Sequence, residues 1–300
     1  QMCIRDSVWE LDKLPIPAWN LLPNKRYWKI GRPHGGKVLP GKELRYASLM
    51  TSRGCPFECT FCVNSYRNSL YTGEIYLRQR TVPNLIDNLL QLKKTYKPKA
   101  FRFLDDVFAF NLKWLTEFKD AYRKHINLPF HGNVTPATAK DNVLKLLSEA
   151  GCTSLSMGVQ SGSEEIRTKL LHRKHTDESI VEAAQRMKKY GIKLHAEYIF
   201  GFPTETLEIM NESADYMRSV ESDWFQIFTA IPFIGTSLHE QLLSRGVLKK
   251  RFDENKKIYK SLYNFEFGED LSVFDKIINT DDLNAEEVLD IAKTTVRELL

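Results

Sequence analysis

The chain has 300 residues, of which 42% are apolar and 11% aromatic, enough for one large hydrophobic core or two smaller domains. No apolar run approaches the roughly 20 residues that a membrane helix needs, and no signal segment opens the chain, so we expect a cytoplasmic protein without a membrane partner. The formal net charge of +5 comes from short basic doublets spread among acidic residues, which does not favour a nucleic-acid partner. The five cysteines are an odd number, and three of them crowd into eight positions. This usage argues against a disulfide framework and favours metal or redox chemistry.

The two ends of the chain differ from its middle. Residues 1–7 have no periodicity and resemble a translated sequencing-adapter remnant, so we assign them to no part of the fold. Prolines are concentrated in the segment that follows, and residues 1–44 are predicted to form a linker or extended arm. Residues 247–300 are predicted to form a helical extension, with an amphipathic helix over 284–300 that ends without a stop signal. We expect the natural protein to continue in both directions.

Between these ends, short apolar runs alternate with stretches of helical spacing. The runs predict six strands, at 47–51, 100–104, 130–134, 154–159, 193–200 and 224–228. Helices are predicted between them, at 82–92, 112–125, 142–150, 177–190 and 207–220. This alternation predicts an α/β fold of parallel strands joined by right-handed crossovers, either an open sheet or a barrel.

Distinctive residues follow the predicted strands. In a barrel, chemistry belongs at the carboxyl ends of the strands. The first five predicted strands are followed or ended by Cys55, Asp105, Asn133, Gln160 and Gly201. A substrate pocket is predicted at this edge. Its candidate lining residues are His131, Asn133, His195, Tyr198 and Gln226. For each of them, a role in the core is the alternative.

The strongest motif is a cysteine run after the first strand. Cys55, Cys59 and Cys62 have the spacing C-x3-C-x2-C, within a segment too polar for buried apolar cysteines. A zinc site is the alternative, but it would usually need a fourth ligand, for which Cys152 and His131 are the nearest candidates. Three thiolates can hold three irons of a four-iron cluster and leave the fourth iron without a protein ligand. The three cysteines are therefore predicted to be metal ligands.

The motif, its position after strand one and the aromatic Phe61 before the last cysteine resemble the radical S-adenosylmethionine (SAM) superfamily, over residues 45–246. The resemblance implies a partial (β/α)6 barrel of the TIM type, with a [4Fe-4S] cluster and SAM as cofactors. In that family an electron from the cluster cleaves SAM to a 5'-deoxyadenosyl radical, which modifies a substrate. A small-molecule substrate and a reductant such as flavodoxin or ferredoxin are the partners implied. A non-catalytic metal-binding module that binds nucleic acid is the alternative from a different class.

The resemblance also places residues around the methionine part of SAM. Asp105 stands where many members present a Gly-Gly-Glu that holds the amino group, although a salt bridge or a helix cap would also explain it. Arg173 matches an arginine near the methionine carboxylate, where a planar cation suits a planar anion, although an exposed arginine is the alternative.

Two further segments resemble those that contact the adenosine part of SAM. Gln160 and Ser161 correspond to a ribose-contacting turn, or else form a plain structural turn. Ile199, Gly201 and Glu205 correspond to an adenine-facing segment, in which the glutamate could instead favour the start of the next helix.

Two features look like a subgroup of the family that is associated with cobalamin (vitamin B12). These are the segment 103–108 with Trp114 and Phe118, and the proline-rich segment 14–19. The resemblance implies cobalamin bound by an amino-terminal domain, and methyl transfer or a rearrangement, with the type left open between methyltransferase, oxidoreductase and lyase. A methylthiotransferase-like radical SAM enzyme is the alternative.

Overall fold

The computed structural model describes residues 10–21, 46–70, 76–108, 110–202, 205–244, 248–253 and 258–263. The arm contains two 3-10 turns, Leu11–Lys13 and Trp19–Leu21. The other elements follow in chain order: β1 (Tyr46–Leu49), β2 (Ser52–Arg53), α1 (Val63–Leu70), β3 (Arg78–Gln79), α2 (Val82–Tyr96), β4 (Ala100–Phe103), α3 (Leu112–His125), β5 (Phe130–Val134), α4 (Asp141–Ala150), β6 (Cys152–Gln160), a π-helical turn (Ile166–Leu170), α5 (Asp177–Lys189), β7 (Lys193–Phe200), α6 (Leu207–Ser219), β8 (Trp224–Thr229), α7 (Ser237–Ser244), β9 (Leu248–Asp253) and β10 (Ile258–Tyr263).

Six of these strands form one sheet in the order β1-β4-β5-β6-β7-β8. The first three neighbouring pairs are parallel, with Leu49 opposite Phe103 and Asn133 opposite Ser156. The six strands are those that the apolar runs predict, and the five predicted helices are present between them. The prediction of an α/β fold with a parallel sheet is therefore confirmed. None of the helices in the described part of the chain combines the length and apolar character needed to cross a bilayer.

The chain forms two compact units. The first comprises residues 1–55, 76–158 and 182–195, and the second comprises residues 56–75, 159–181 and 196–300. The boundary crosses the cysteine loop directly after Cys55. The domain bounds expected from the sequence, 1–44, 45–246 and 247–300, remain predictions.

An aromatic cluster forms the core of the first unit. Phe103 stacks on Phe108 with ring centroids 4.6 Å apart, and Phe118 of α3 meets Phe130 edge to face at 5.8 Å. Each of these four rings is fully buried. Helix α3 buries one face because its apolar residues have helical spacing, and the Asn111 side chain caps it by accepting a hydrogen bond from the Trp114 amide.

The opposite face of the first unit's strands is polar. Phe103 and Phe130 point toward the helices, so the alternation of a strand turns Arg102 and His131 the other way. His131 Nδ1 lies 3.1 Å from Ser154 Oγ, and His131 Nε2 lies 3.2 Å from Ser156 Oγ. This polar face is hydrogen-bonded rather than packed with aliphatic side chains.

The second unit has a smaller core of its own. It consists of Ile166, Leu171, Phe202, Leu238 and Leu242, from the π-helical turn, the segment after β7 and α7. Partly buried apolar residues pack against it, including Phe61 of the cysteine loop and Ile199 of β7.

The structure adds elements that the sequence did not predict. These are helices α1 and α7, the short antiparallel pair β2 and β3, and an antiparallel hairpin of β9 and β10. The described residues of the predicted helical extension are therefore antiparallel strands rather than helix, and β10 contains Ile258, Tyr259 and Tyr263, residue types that favour strands. The predicted helix over 284–300 lies outside the described residues.

The described part of the arm packs on helix α2. The Asp12 carboxylate accepts a hydrogen bond from the Thr81 amide at 3.1 Å, at the N-cap of that helix. The Trp19 ring meets Tyr96 edge to face at 6.3 Å, and its Nε1 donates to Asn88 at 3.4 Å. The arm is thus held at both ends of α2.

Candidate active site

The three cysteines lie on the loop between β2 and α1, which begins with a glycine. Gly54 has φ of +92°, and a Cβ atom there would lie 1.9 Å from the carbonyl oxygen of Tyr76. Both the left-handed backbone and the close approach require glycine. The loop can therefore pass directly against the chain that enters β3.

A buried carboxylate fixes the start of the loop. Asp105 is 0% exposed and follows β4. Its Oδ1 accepts hydrogen bonds from the Thr51 hydroxyl at 2.7 Å and from the amide and hydroxyl of Ser52, and both of its oxygens lie 3.0 Å from the Thr51 amide. Burial raises the pKa of Asp105, and these donors partly oppose that rise. The carboxylate is therefore engaged by the residues that precede the cysteine motif.

Thr60 fixes the later part of the loop within the second unit. Its amide and hydroxyl donate to the carbonyl oxygens of Leu171 and Leu170, at 3.3 and 2.6 Å. Its own carbonyl oxygen accepts from the Leu238 amide at 3.0 Å. The position between Cys59 and Phe61 is thus tied to both the π-helical turn and α7.

The surroundings of Cys59 and Cys62 suit thiolate ligands. Cys59 is 7% exposed, and Arg173 Nη1 lies 3.6 Å from its sulfur. Cys62 directly precedes helix α1, whose amino terminus carries a partial positive charge. A nearby cation and the positive end of a helix are surroundings in which metal-binding cysteines are found. The described cysteines Cys55, Cys59, Cys62 and Cys152 form no disulfide with one another.

The turn after β6 is strained and tightly held. Gln160 has φ of +74°, a conformation that costs a non-glycine residue about 1–3 kcal/mol. The Ser161 hydroxyl accepts a hydrogen bond from the Ser163 amide at 3.2 Å. Gly162 donates to the Ser213 hydroxyl at 3.1 Å, and a Cβ atom on it would lie 2.3 Å from the Cα of Ser213. The turn therefore has little room for another conformation.

A buried glutamate closes the turn after β7. Glu205 Oε2 accepts hydrogen bonds from the amides of Gly201 and Phe202, at 2.7 and 3.0 Å, and Gly201 has φ of +85°. Glu205 Oε1 is buried and has no hydrogen-bond partner among the described residues. Burial raises the pKa of Glu205 to about 7, although the two amides lower it. Glu205 Oε1 is thus a buried hydrogen-bond acceptor to which none of the described residues donates.

Most of the predicted site residues fall in the second unit. Phe61 packs on Phe202, with ring centroids 6.1 Å apart, and Ile199 joins the same apolar core. Cys55 and Asp105 belong to the first unit. The second unit contains Cys59, Phe61, Cys62, Gln160, Ser161, Arg173, Ile199, Gly201 and Glu205.

The histidines predicted as pocket candidates are hydrogen-bonded within the first unit. His131 and His195 lie on either side of the Ser156 hydroxyl, 3.2 and 3.1 Å from it, and both rings are almost fully buried. Burial lowers the pKa of His131 and lowers that of His195 to about 4, so both are neutral at physiological pH. Asn133 donates to the carbonyl oxygen of Asp105 at 2.9 Å. These contacts favour the core role that was the alternative.

The structure adds supporting residues that the sequence analysis missed. Thr51, Ser52 and Thr60 hold the cysteine loop, and Arg167 is a fully buried cation beside the turn after β6. Thr60 lies within the cysteine motif and the other two lie just before it, but short polar residues are common in any loop. Arg167 stands in a run of charged residues that is typical of an exposed helix.

Comparison with known proteins identifies the family. The model of the radical SAM superfamily matches residues 49–217, more than half of the chain. The chain belongs to the radical SAM superfamily. Members of this superfamily are enzymes, and a radical SAM domain implies a [4Fe-4S] cluster and SAM as cofactors.

Several of the proteins that resemble this radical SAM chain are methyltransferases. An uncharacterized methyltransferase of Pyrococcus horikoshii is 29% identical over 81% of this chain and 50% of its own. The cytidylyl-2-hydroxyethylphosphonate methyltransferase of Streptomyces wedmorensis is 26% identical over 85% of this chain and 47% of its own. The chain thus spans about half the length of these curated relatives.

A solved structure shows the same fold. TsrM of Kitasatospora setae, a radical SAM methyltransferase with cobalamin and a [4Fe-4S] cluster bound, superposes with a TM-score of 0.57. It is 18% identical, over 71% of this chain and 43% of its own. The likeness shows the fold, and the partial (β/α)6 barrel predicted from the sequence is confirmed.

The residues present fit the two cofactors of the family. A cluster needs thiolates in an electropositive setting, which the Arg173 guanidinium and the start of α1 provide. Among the residues that the structure describes, no three His, Cys, Asp or Glu side chains group around a single metal ion. A cubane does not need such a group, because each thiolate binds a different iron. For SAM, the unsatisfied Glu205 oxygen offers an acceptor to a ligand that carries a donor.

We predict that Asp105→Asn weakens the cysteine loop. The amide removes the negative charge and turns a donor toward the Thr51 amide, so the free energy of unfolding should fall by about 1–3 kcal/mol. Iron bound after anaerobic reconstitution should fall with it. The matched control is Asp106→Asn, an exposed neighbour, which should change the free energy of unfolding by less than about 0.5 kcal/mol. Equal iron content and equal stability in Asp105→Asn would contradict the prediction.

We predict that Glu205 makes stability depend on pH. Its pKa is raised from 4.5 to about 7 in the folded chain, so the folded state holds its proton more tightly than the unfolded state. The resulting stabilisation is present below the unfolded pKa and is lost as the pH rises through about 7. Urea unfolding at about pH 5 and about pH 8 should show wild type losing up to about 3 kcal/mol relative to Glu205→Gln. The exposed Glu208, exchanged in the same way, should give no such difference, and parallel pH profiles for wild type and Glu205→Gln would refute the assignment.

Proposed function

We propose that Cys55, Cys59 and Cys62 bind three irons of the [4Fe-4S] cluster and that the second unit holds SAM at the fourth iron. The observation that carries the proposal is the Arg173 guanidinium, 3.6 Å from the sulfur of Cys59. Arg173 is 8% exposed and thus almost buried beside a ligand sulfur. At this position the planar guanidinium could pair with the methionine carboxylate of SAM, which would bind next to the same sulfur.

The other predicted residues receive roles that their contacts support. Gln160 and Ser161 contact the ribose from a turn that is already fixed before the ligand binds. Ile199 and Gly201 face the adenine, and Glu205 Oε1 accepts a hydrogen bond from it, which would satisfy a buried oxygen.

Phe61 and Asp105 support the loop in this proposal. Phe61 anchors it in the apolar core of the second unit. Asp105 was predicted to bind the methionine amino group of SAM. In the structure, its oxygens accept hydrogen bonds from Thr51 and Ser52. We therefore propose that Asp105 supports the cysteine loop rather than binding the methionine amino group.

When bound, the cluster supplies the electron that cleaves SAM to a 5'-deoxyadenosyl radical. The chain's own residues orient SAM, through Arg173 at one end and the turns after β6 and β7 at the other. A flavodoxin or ferredoxin is the proposed reductant, and a small molecule is the proposed substrate.

We further propose cobalamin-dependent methyl transfer as the reaction. Both curated relatives described above are named methyltransferases, and the TsrM structure holds cobalamin. Trp114 and Phe118 of α3, on which the sequence resemblance partly depends, are buried and stack with ring centroids 5.1 Å apart.

We predict that Cys59→Ala abolishes reductive cleavage of SAM while the sheet remains folded. The expected result is no 5'-deoxyadenosine after anaerobic reconstitution and dithionite reduction, with a circular dichroism spectrum like that of wild type. Cys152→Ala is the matched control, because Cys152 is also buried but lies outside the motif. It should keep both the cluster and the cleavage. Retained 5'-deoxyadenosine production in Cys59→Ala would refute the ligand assignment, and one tightly held zinc ion with no cleavage in wild type would refute the enzyme.

We predict that the natural full-length protein binds cobalamin and methylates it from SAM. Incubation with reduced cobalamin and SAM carrying a labelled methyl group should produce labelled methylcobalamin, followed by its absorption spectrum and by mass spectrometry. Cleavage of SAM without cobalamin binding would reject this reaction and leave the radical SAM assignment intact.

A further inference from the structure

The largest fully buried side chain described in this chain is a charged one. Arg167 lies in the π-helical turn of the second unit and is 0% exposed. Long charged side chains are almost never fully buried unless each charged group is paired. The partners of Arg167 therefore indicate what the residue is for.

Its guanidinium joins three separate pieces of the second unit. Nη1 donates to the carbonyl oxygen of Ser161 at 2.7 Å, and Nε donates to that of His175 at 3.1 Å. Nη2 pairs with the Asp177 carboxylate at the start of α5. The cation also lies 5.4 Å from the ring centre of Tyr216 on α6. One side chain thus connects the turn after β6, the segment before α5 and helix α6.

Two of these pieces carry proposed SAM contacts. Ser161 follows Gln160, whose positive φ must be maintained by its surroundings. The bond from Arg167 to the Ser161 carbonyl oxygen holds the peptide between Ser161 and Gly162, one residue beyond this strained position.

The segment before α5 carries Arg173, the second proposed SAM contact. The Arg173 amide donates to the carbonyl oxygen of Arg167 at 2.8 Å, and the bond to His175 holds the chain two residues further on. Arg167 therefore contacts the backbone on the carboxyl side of Arg173 as well as the residue itself.

We propose that Arg167 is a positioning residue for SAM, which sets Gln160 and Arg173 at a fixed separation before the ligand binds. This inference rests on the proposed function, in which Gln160 contacts the ribose of SAM and Arg173 contacts its methionine carboxylate. A guanidinium is required because it donates in three directions within one plane. A lysine keeps the charge and can still pair with Asp177, but it cannot reach both carbonyl oxygens in the same geometry. Pre-organisation of this kind lowers the cost of ordering the site when ligand binds.

The test compares Arg167→Lys with wild type, using the full chain with a reconstituted cluster and SAM as the probe. We expect the Kd for SAM, measured by calorimetry and by the SAM-dependent change in the electron paramagnetic resonance spectrum of the reduced cluster, to rise about tenfold or more. The spectrum without SAM should be unchanged. The KM for SAM in 5'-deoxyadenosine formation should rise in parallel, with a much smaller change in kcat.

The matched control is Arg186→Lys. Arg186 likewise donates to a backbone carbonyl oxygen, that of Ala139 at 3.0 Å, and pairs with Glu182, but it lies in the first unit on α5. It should leave the Kd for SAM as in wild type. A double variant of Arg167→Lys with Arg173→Gln should weaken binding less than the two single effects combined, because a residue that acts through Arg173 loses part of its effect when Arg173 is absent.

If folded Arg167→Lys binds SAM with an unchanged Kd, the inference is overturned. The proposed function still stands in that case, because wild type binds SAM. Failure of wild type to bind SAM overturns both. If Arg167→Lys does not fold, Ser213→Ala loosens the same turn by removing the acceptor of the Gly162 amide, without touching a buried charge. It should raise the Kd about threefold or more, because the turn loses one of the hydrogen bonds that fix it before SAM binds, and an unchanged value would overturn the inference.

Discussion

The hydrogen bonds between Asp105 and the residues before the cysteine motif are the constraint on which the candidate site depends. The loop that carries the three thiols lacks the regular backbone hydrogen bonds of a helix or a sheet. Its position must therefore be set by groups outside it. Asp105 does this from the end of the neighbouring strand, through the amides and hydroxyls of Thr51 and Ser52. The first cysteine follows three residues later, after a glycine that no other residue could replace. The parallel pairing of β1 with β4 is therefore what brings the anchor to the motif.

The second unit solves the same problem with different groups. Its part of the loop is fixed by Thr60, which bonds to the π-helical turn and to α7, and by Phe61 in an apolar core. Arg173 adds a cation beside the sulfur of Cys59. The proposed metal ligands of this unit are thus supported by hydrogen bonds, by apolar packing and by charge, and the π-helical turn and α7 contribute to the first two.

The strand and helix pattern was predictable because one face of nearly every element is buried. Helix α3 and strand β5 begin and end at the residues that the spacing predicts, since the aromatic cluster requires that spacing. The missed elements lack this pattern: α1 buries only Asn64 among its residues, and its mean composition is polar. Helix α7 and the hairpin after it follow the last predicted strand, where no further apolar period marked them.

The cysteines and the strand-end residues were predictable, but most of their supporting contacts were not. A motif identifies ligands by residue type and spacing, whereas the partner of Asp105 is decided by which strands are neighbours. Arg167 shows the limit most clearly. Its sequence context is that of an exposed helix, and only the three-dimensional arrangement reveals that carbonyl oxygens and a carboxylate surround it.

The serine between two buried histidines links their protonation patterns. Ser156 has one hydroxyl proton, so it can donate to at most one of the two rings, and its oxygen then accepts from the other. When it donates to His195 Nδ1, His131 carries its proton on Nε2, and when it donates to His131 Nε2, His195 carries its proton on Nδ1. Reversing the Ser156 hydroxyl from one ring to the other therefore requires both imidazoles to change tautomer, and the two arrangements have equal net charge.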